Sequence, residues 1–137
     1  MSANIKKIMK NLYFSLLLAI LFVSCKKDKK DTCTADLALN KVTISNSSSV
    51  ATGIQYQTEA YGANLCYSFS HFAIQKTGDK TYDIYVKASI PCGQPVCAEA
   101  LYFTSNTGKI EGVTAGTYTL RFYNYDGLFT SISVTIV

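Results

Sequence analysis

Apolar and polar residues alternate with a period of two along most of the chain beyond Lys41. Tyr82, Ile84, Val86 and Ala88 share one parity, and Asp83, Tyr85 and Lys87 share the other. Successive side chains of a strand point to opposite faces, so this stretch predicts a strand with one buried and one wet face. Lys41–Ile44 alternates over a shorter length, and Val50–Tyr61 sets Ile54, Tyr56 and Thr58 on one side. Cys66–Ile74 is rich in the aromatic and β-forming residues that suit strands. Val96–Phe103 predicts a further strand, although Ala98–Leu101 also suits a helix. Thr117–Tyr123 alternates again. In the last stretch Phe129, Ser131, Ser133 and Thr135 oppose Leu128, Thr130, Ile132, Val134 and Ile136.

Turn chemistry punctuates these runs. Asn46–Ser49, Gly62–Asn64, Gly78–Asp79, Asn106–Gly108, Ala115–Gly116 and Asp126–Gly127 all mark breaks, the last as a hairpin. Pro91, Cys92, Gly93, Gln94 and Pro95 form another, because proline cannot donate to a ladder and glycine supplies unusual dihedrals. About seven strands with turns every roughly 8–12 residues predict an all-β chain, a single antiparallel β-sandwich.

The start of the chain follows a different pattern. Lys6, Lys7 and Lys10 precede an apolar run from Leu12 to Val23, which ends at Ser24 and Cys25. A basic region, a short apolar region and a small residue at the cut describe a secretory signal peptide. The run has 12 residues, whereas a helix needs about 20 to cross a bilayer. Phe22–Val23–Ser24–Cys25 resembles a bacterial lipobox, with Phe22 where leucine is usual. The resemblance implies a diacylglyceryl group on the Cys25 thiol, cleavage before Cys25 and acylation of the new amine. Several acyl chains, each contributing about 0.8 kcal/mol per buried methylene, would hold the chain on a lipid bilayer. The expected division is a signal peptide over 1–24, an acylated cysteine and flexible polar tether over 25–35, and the sandwich over 36–137. The expected location is the bacterial cell envelope, lipid-anchored at the outer membrane, with the side left open.

Composition then changes the picture twice. The net charge of +4 belongs to the leader and tether, because Lys6, Lys7, Lys10, Lys26, Lys27, Lys29 and Lys30 all lie there. From Asp31 onward six basic residues meet eight acidic ones. No basic face remains to follow a phosphate backbone, so no nucleic-acid partner is expected. Beyond Cys25 stand Cys33, Cys66, Cys92 and Cys97, an even set that in an exported chain predicts two disulfides. A four-thiolate zinc site would need paired Cys-x-x-Cys knuckles, which are missing, so no metal or other cofactor is expected. Four cysteines allow three pairings. Cys66 and Cys97 both lie in apolar strand-like stretches, which favours joining them and leaves Cys33 for Cys92.

Leu65–Phe69, the Tyr82–Ala88 strand, Cys97–Ala100 and Gly116–Leu120 together resemble small immunoglobulin-like sandwiches of bacterial envelope proteins. The resemblance covers residues 36–137 and implies an immunoglobulin-like architecture in which the cysteine before the aromatic strand pairs with the later one. The chain has no tryptophan, so the antibody-domain core is not implied. Such a resemblance does not carry an activity.

Catalytic patterns are sparse. His71 is the only histidine, and a Ser-His-Asp hydrolase would need it between a carboxylate and an activated serine. Asp83, Glu99 and Glu111 fall at outward strand or turn positions and form no carboxylate pair typical of glycosidases. Ten tyrosines stand out. Tyr82 and Tyr118 have inward parity, whereas Tyr85, Tyr123 and Tyr125, with Arg121, make a candidate binding face. Exposed aromatics anchor protein partners or stack on sugars. The leading expectation is a non-catalytic, lipid-anchored binding or accessory module for another envelope protein or a glycan. One alternative is a protease-inhibitor-like domain that uses the 91–97 loop as a rigid plug. The other is a small hydrolase centred on His71.

Overall fold

A computed structural model describes residues 31–93 and 96–137. The leader, Cys25 and the lysine-rich segment to residue 30 lie outside the described residues, as do Gln94 and Pro95. The described chain is all-β. Its strands are β1 (Thr32–Asp36), β2 (Ala38–Ile44), β3 (Ile54–Gly62), β4 (Ser68–Gly78), β5 (Thr81–Pro91), β6 (Tyr102–Ile110), β7 (Gly116–Asn124) and β8 (Gly127–Ile136).

They form two sheets. One is three-stranded, in the order β2-β3-β6, and the other is five-stranded, with β5 at its centre. β4 pairs along one edge of β5, while its other edge is shared end to end by β1 and β7. β1 covers Lys87–Pro91, which leaves Thr81–Tyr85 for β7. The β5–β7 pairing is parallel, so the five-stranded sheet is mixed, while the remaining pairings are antiparallel as expected. The chain leaves β5, runs back through β6 in the other sheet and returns, so β7 points the same way as β5.

Three further expectations change. The count is eight strands, because Thr32–Ala35, assigned to the tether from its polar composition, belongs to a strand, Thr32–Asp36, that pairs with β5. Val96–Leu101 is loop rather than strand, and the strand begins at Tyr102. Asn106–Gly108 is not a turn but the middle of β6. A side chain at Gly108 would come within 2.3 Å of the Tyr56 ring, so the glycine is there for close approach across the sheet.

The core lies between the sheets. Ile84, Val86 and Ala88 of β5 and Leu120 and Phe122 of β7 are fully buried against Ile54, Tyr56 and Ala60 of β3. Burying such apolar side chains is the main force that closes the sandwich. The Tyr56 ring meets Phe72 and Phe122 edge to face, with centroids at 5.2 and 5.3 Å. Leu37, also fully buried, marks the switch between sheets, and its N–H donates to the Val86 carbonyl at 2.9 Å.

Two disulfides staple one end. Cys33–Cys92 ties β1 to the end of β5, and Cys66–Cys97 ties the β3–β4 connection to the loop before β6.

Candidate functional site

The outward parity of β5 builds the face singled out by the sequence. Because β5 and β7 run parallel in register, Asp83 lies beside Arg121 and Tyr85 beside Tyr123. β1 adds Asp36 next to Lys87. The outer surface of the five-stranded sheet therefore carries two ion pairs with a tyrosine pair between them.

Arg121 Nε donates to Asp83 Oδ1 at 2.6 Å, and a terminal guanidinium nitrogen donates to Thr77 Oγ1 at 3.0 Å. The hydrogen bond to Asp83 holds the guanidinium above its ordinary range. Asp83 has the outward parity expected for it, yet it is only 8% exposed, because Arg121 and Thr77 close over it. Its burial is paired. Lys87 Nζ and Asp36 Oδ1 form the second pair at 2.5 Å.

Tyr85 and Tyr123 stack with centroids 5.1 Å apart and planes 17° from parallel. That separation is close to the spacing between neighbouring strands, so the rings stand side by side off the sheet. Lys87 Nζ also sits 5.2 Å from the Tyr85 centroid. The Tyr85 ring is thus in contact with both Tyr123 and the Lys87 ammonium.

Tyr125 does not join them. It is 77% exposed in the β7–β8 turn and lines a cleft of about 280 Å³ with Asp36, Tyr61, Tyr67 and Leu101. Sequence reasoning missed this cleft. Tyr61 shares parity with the polar Gln57 and Glu59, which was a usable sign that it faces outward. Phe103 packs on Tyr61 from the neighbouring strand at 6.2 Å. No comparable sign was available for Leu101, in an apolar run that resembles a strand.

His71 lies exposed on β4, with its Nδ1 3.0 Å from Ser70 Oγ, next to a register shift. Its cross-strand neighbour is Lys87. Its one described hydrogen bond is to that adjacent serine. Among the described residues no group of three or more His, Cys, Asp or Glu is placed to hold a metal ion. No family model, curated protein or solved structure matches the chain.

Proposed function

We propose that the chain is a lipid-anchored lipoprotein of the bacterial envelope whose immunoglobulin-like sandwich is a non-catalytic binding module for another envelope protein. The leader and Phe22–Cys25 support the anchor. Two disulfides suit an oxidising compartment. The immunoglobulin-like reading is supported by Tyr118, near the start of β7. Its hydroxyl accepts the Thr114 N–H at 2.9 Å and donates to the Thr114 carbonyl at 3.1 Å. Such a tyrosine corner recurs in these sandwiches.

The observation that carries the binding reading is the stacked Tyr85–Tyr123 pair between Lys87 and Arg121. Sugar recognition by stacking needs a free ring face, and the Tyr85 ring already contacts Tyr123 and the Lys87 ammonium. A sheet face carrying paired tyrosines and charges already paired within it suits a protein surface instead. The test is capture from solubilised envelope by the full chain and by a Tyr85→Ala/Tyr123→Ala variant of unchanged fold. A specific partner retained by the first and lost by the second is expected. Equal capture by both removes this face, and retention of a glycan in place of a protein overturns the partner class.

A protease-inhibiting loop is the second reading, favoured because Cys33–Cys92 and Cys66–Cys97 fix both ends of the 92–97 segment. A pre-organised loop loses little entropy on binding. Absence of inhibition across serine, cysteine and metalloproteases would remove it.

A further inference from the structure

The chain enters the sandwich at its disulfide-bearing end. The Asp31 carbonyl accepts the Cys92 N–H at 2.8 Å, and Thr32 pairs with Pro91. The Asn64–Tyr67 and Val96–Leu101 loops gather at the same end. The Leu65 N–H donates to the Ala98 carbonyl at 3.3 Å, and Cys66, Cys97, Ile90 and Pro91 line one shallow cavity.

This end holds most of the exposed large apolar side chains among the described residues. Val96 is fully exposed, Leu65 is 54% and Leu101 52% exposed, and Tyr61, Phe103 and Tyr125 lie just behind them. The rest of the surface holds Val50, Ile74, Leu128, Phe129 and Val137, spread over separate strands and turns. Scattered apolar residues on a surface need no explanation, but a concentration at one end does.

We infer that this end rests on the membrane, with Leu65, Val96 and Leu101 entering the lipid interface. The inference depends on the lipid-anchored reading of Cys25. Only residues 26–31 separate Cys25 from β1. Even fully extended, that stretch spans no more than about 25 Å. The strands β4 and β5 are each 11 residues long, so the sandwich is about 36 Å from end to end. The segment is therefore too short to run the length of the domain and bring the far end to the bilayer.

The chemistry matches an interface. Aliphatic tips with tyrosines behind them suit the boundary between head groups and acyl chains. Lys26, Lys27, Lys29 and Lys30 follow Cys25 in the sequence, a run of charge that favours anionic head groups. Glu99 and Asp126 also lie at this end, so apolar insertion rather than charge is what holds the tip. The outer face with Tyr85 and Tyr123 remains lateral and open.

The absence of tryptophan makes the test clean. Val96→Trp and Val50→Trp variants of the full acylated chain are placed on phosphatidylcholine vesicles whose acyl chains carry bromine near the head groups. At interfacial depth, the Val96→Trp variant is expected to lose about half its emission and shift to the blue, with the Val50→Trp variant unchanged. Vesicle-bound protein with neither reporter quenched overturns the inference and leaves the anchor standing. Protein that stays in solution removes both. Protection of the Val96→Trp reporter only when an envelope protein is added makes the tip a protein-docking surface instead, and also overturns it.

Discussion

The Asn124 side chain accepts the Leu39 N–H at 2.7 Å and so ties the five-stranded sheet to the three-stranded one. Leu39 is buried and lies at a register shift in β2, where the ladder with β3 is interrupted. An unpaired buried N–H there would cost about 1–3 kcal/mol. Asn124→Ala should lower stability by that amount, read as a lower urea midpoint at unchanged slope. Asn124→Asp, which keeps an acceptor, should recover most of it. Equal loss in both variants would show that the side-chain oxygen is not what matters.

Tyr56 gives a second prediction, of opposite sign. Its hydroxyl is buried and has no hydrogen-bond partner among the described residues. Tyr56→Phe removes a desolvated polar group and should raise stability by about 1 kcal/mol. Gly108→Ala should destabilise by about 1–3 kcal/mol, because the added methyl meets the Tyr56 ring. A marked loss on Tyr56→Phe would mean that the hydroxyl has a partner.

The same phenol sets an alkaline limit. Burial pushes its pKa above the ordinary tyrosine range, since the phenolate is desolvated in the core. The unfolded chain loses this proton near pH 10, before the folded one does, so the unfolded state then binds fewer protons. The contribution is whole below about pH 10 and is lost as pH rises from there toward the folded value. Wild type should therefore lose stability above pH 10 more steeply than Tyr56→Phe. Parallel pH profiles would contradict this.

The disulfides should differ in effect. Cys33 and Cys92 are 59 residues apart and Cys66 and Cys97 31 apart. Loop-closure entropy makes each worth about 4 kcal/mol, the longer loop by a few tenths more. Replacing Cys33 and Cys92 by serine should also free β1, with amide exchange rising first over Thr32–Asp36. Uniform exchange across the sandwich would show that the bond does not guard that strand locally.

Much of the fold was legible where burial enforces alternation. β5, β7 and β8 have one face in the core, so their periodicity carries the signal. β1 was hidden, because Thr32–Asp36 is polar and becomes a strand only through β5 and the Cys33–Cys92 bond. Gly108 resembled a turn because glycine serves turns and close contacts alike, and only Tyr56 tells them apart. At the site, outward parity placed Tyr85, Tyr123 and Arg121 together. It could not show that Asp83 is sealed by Arg121, or that Tyr125 turns away to the cleft, since both depend on which strand neighbours which.

The measurement closest to the central claim is the intact mass of the protein extracted from its native membrane, before and after reduction. The proposed lipoprotein should begin at Cys25, carry acyl groups and gain the mass of four hydrogens as its two disulfides open. A chain that keeps residues 1–24, or that carries no acyl group on Cys25, would contradict it.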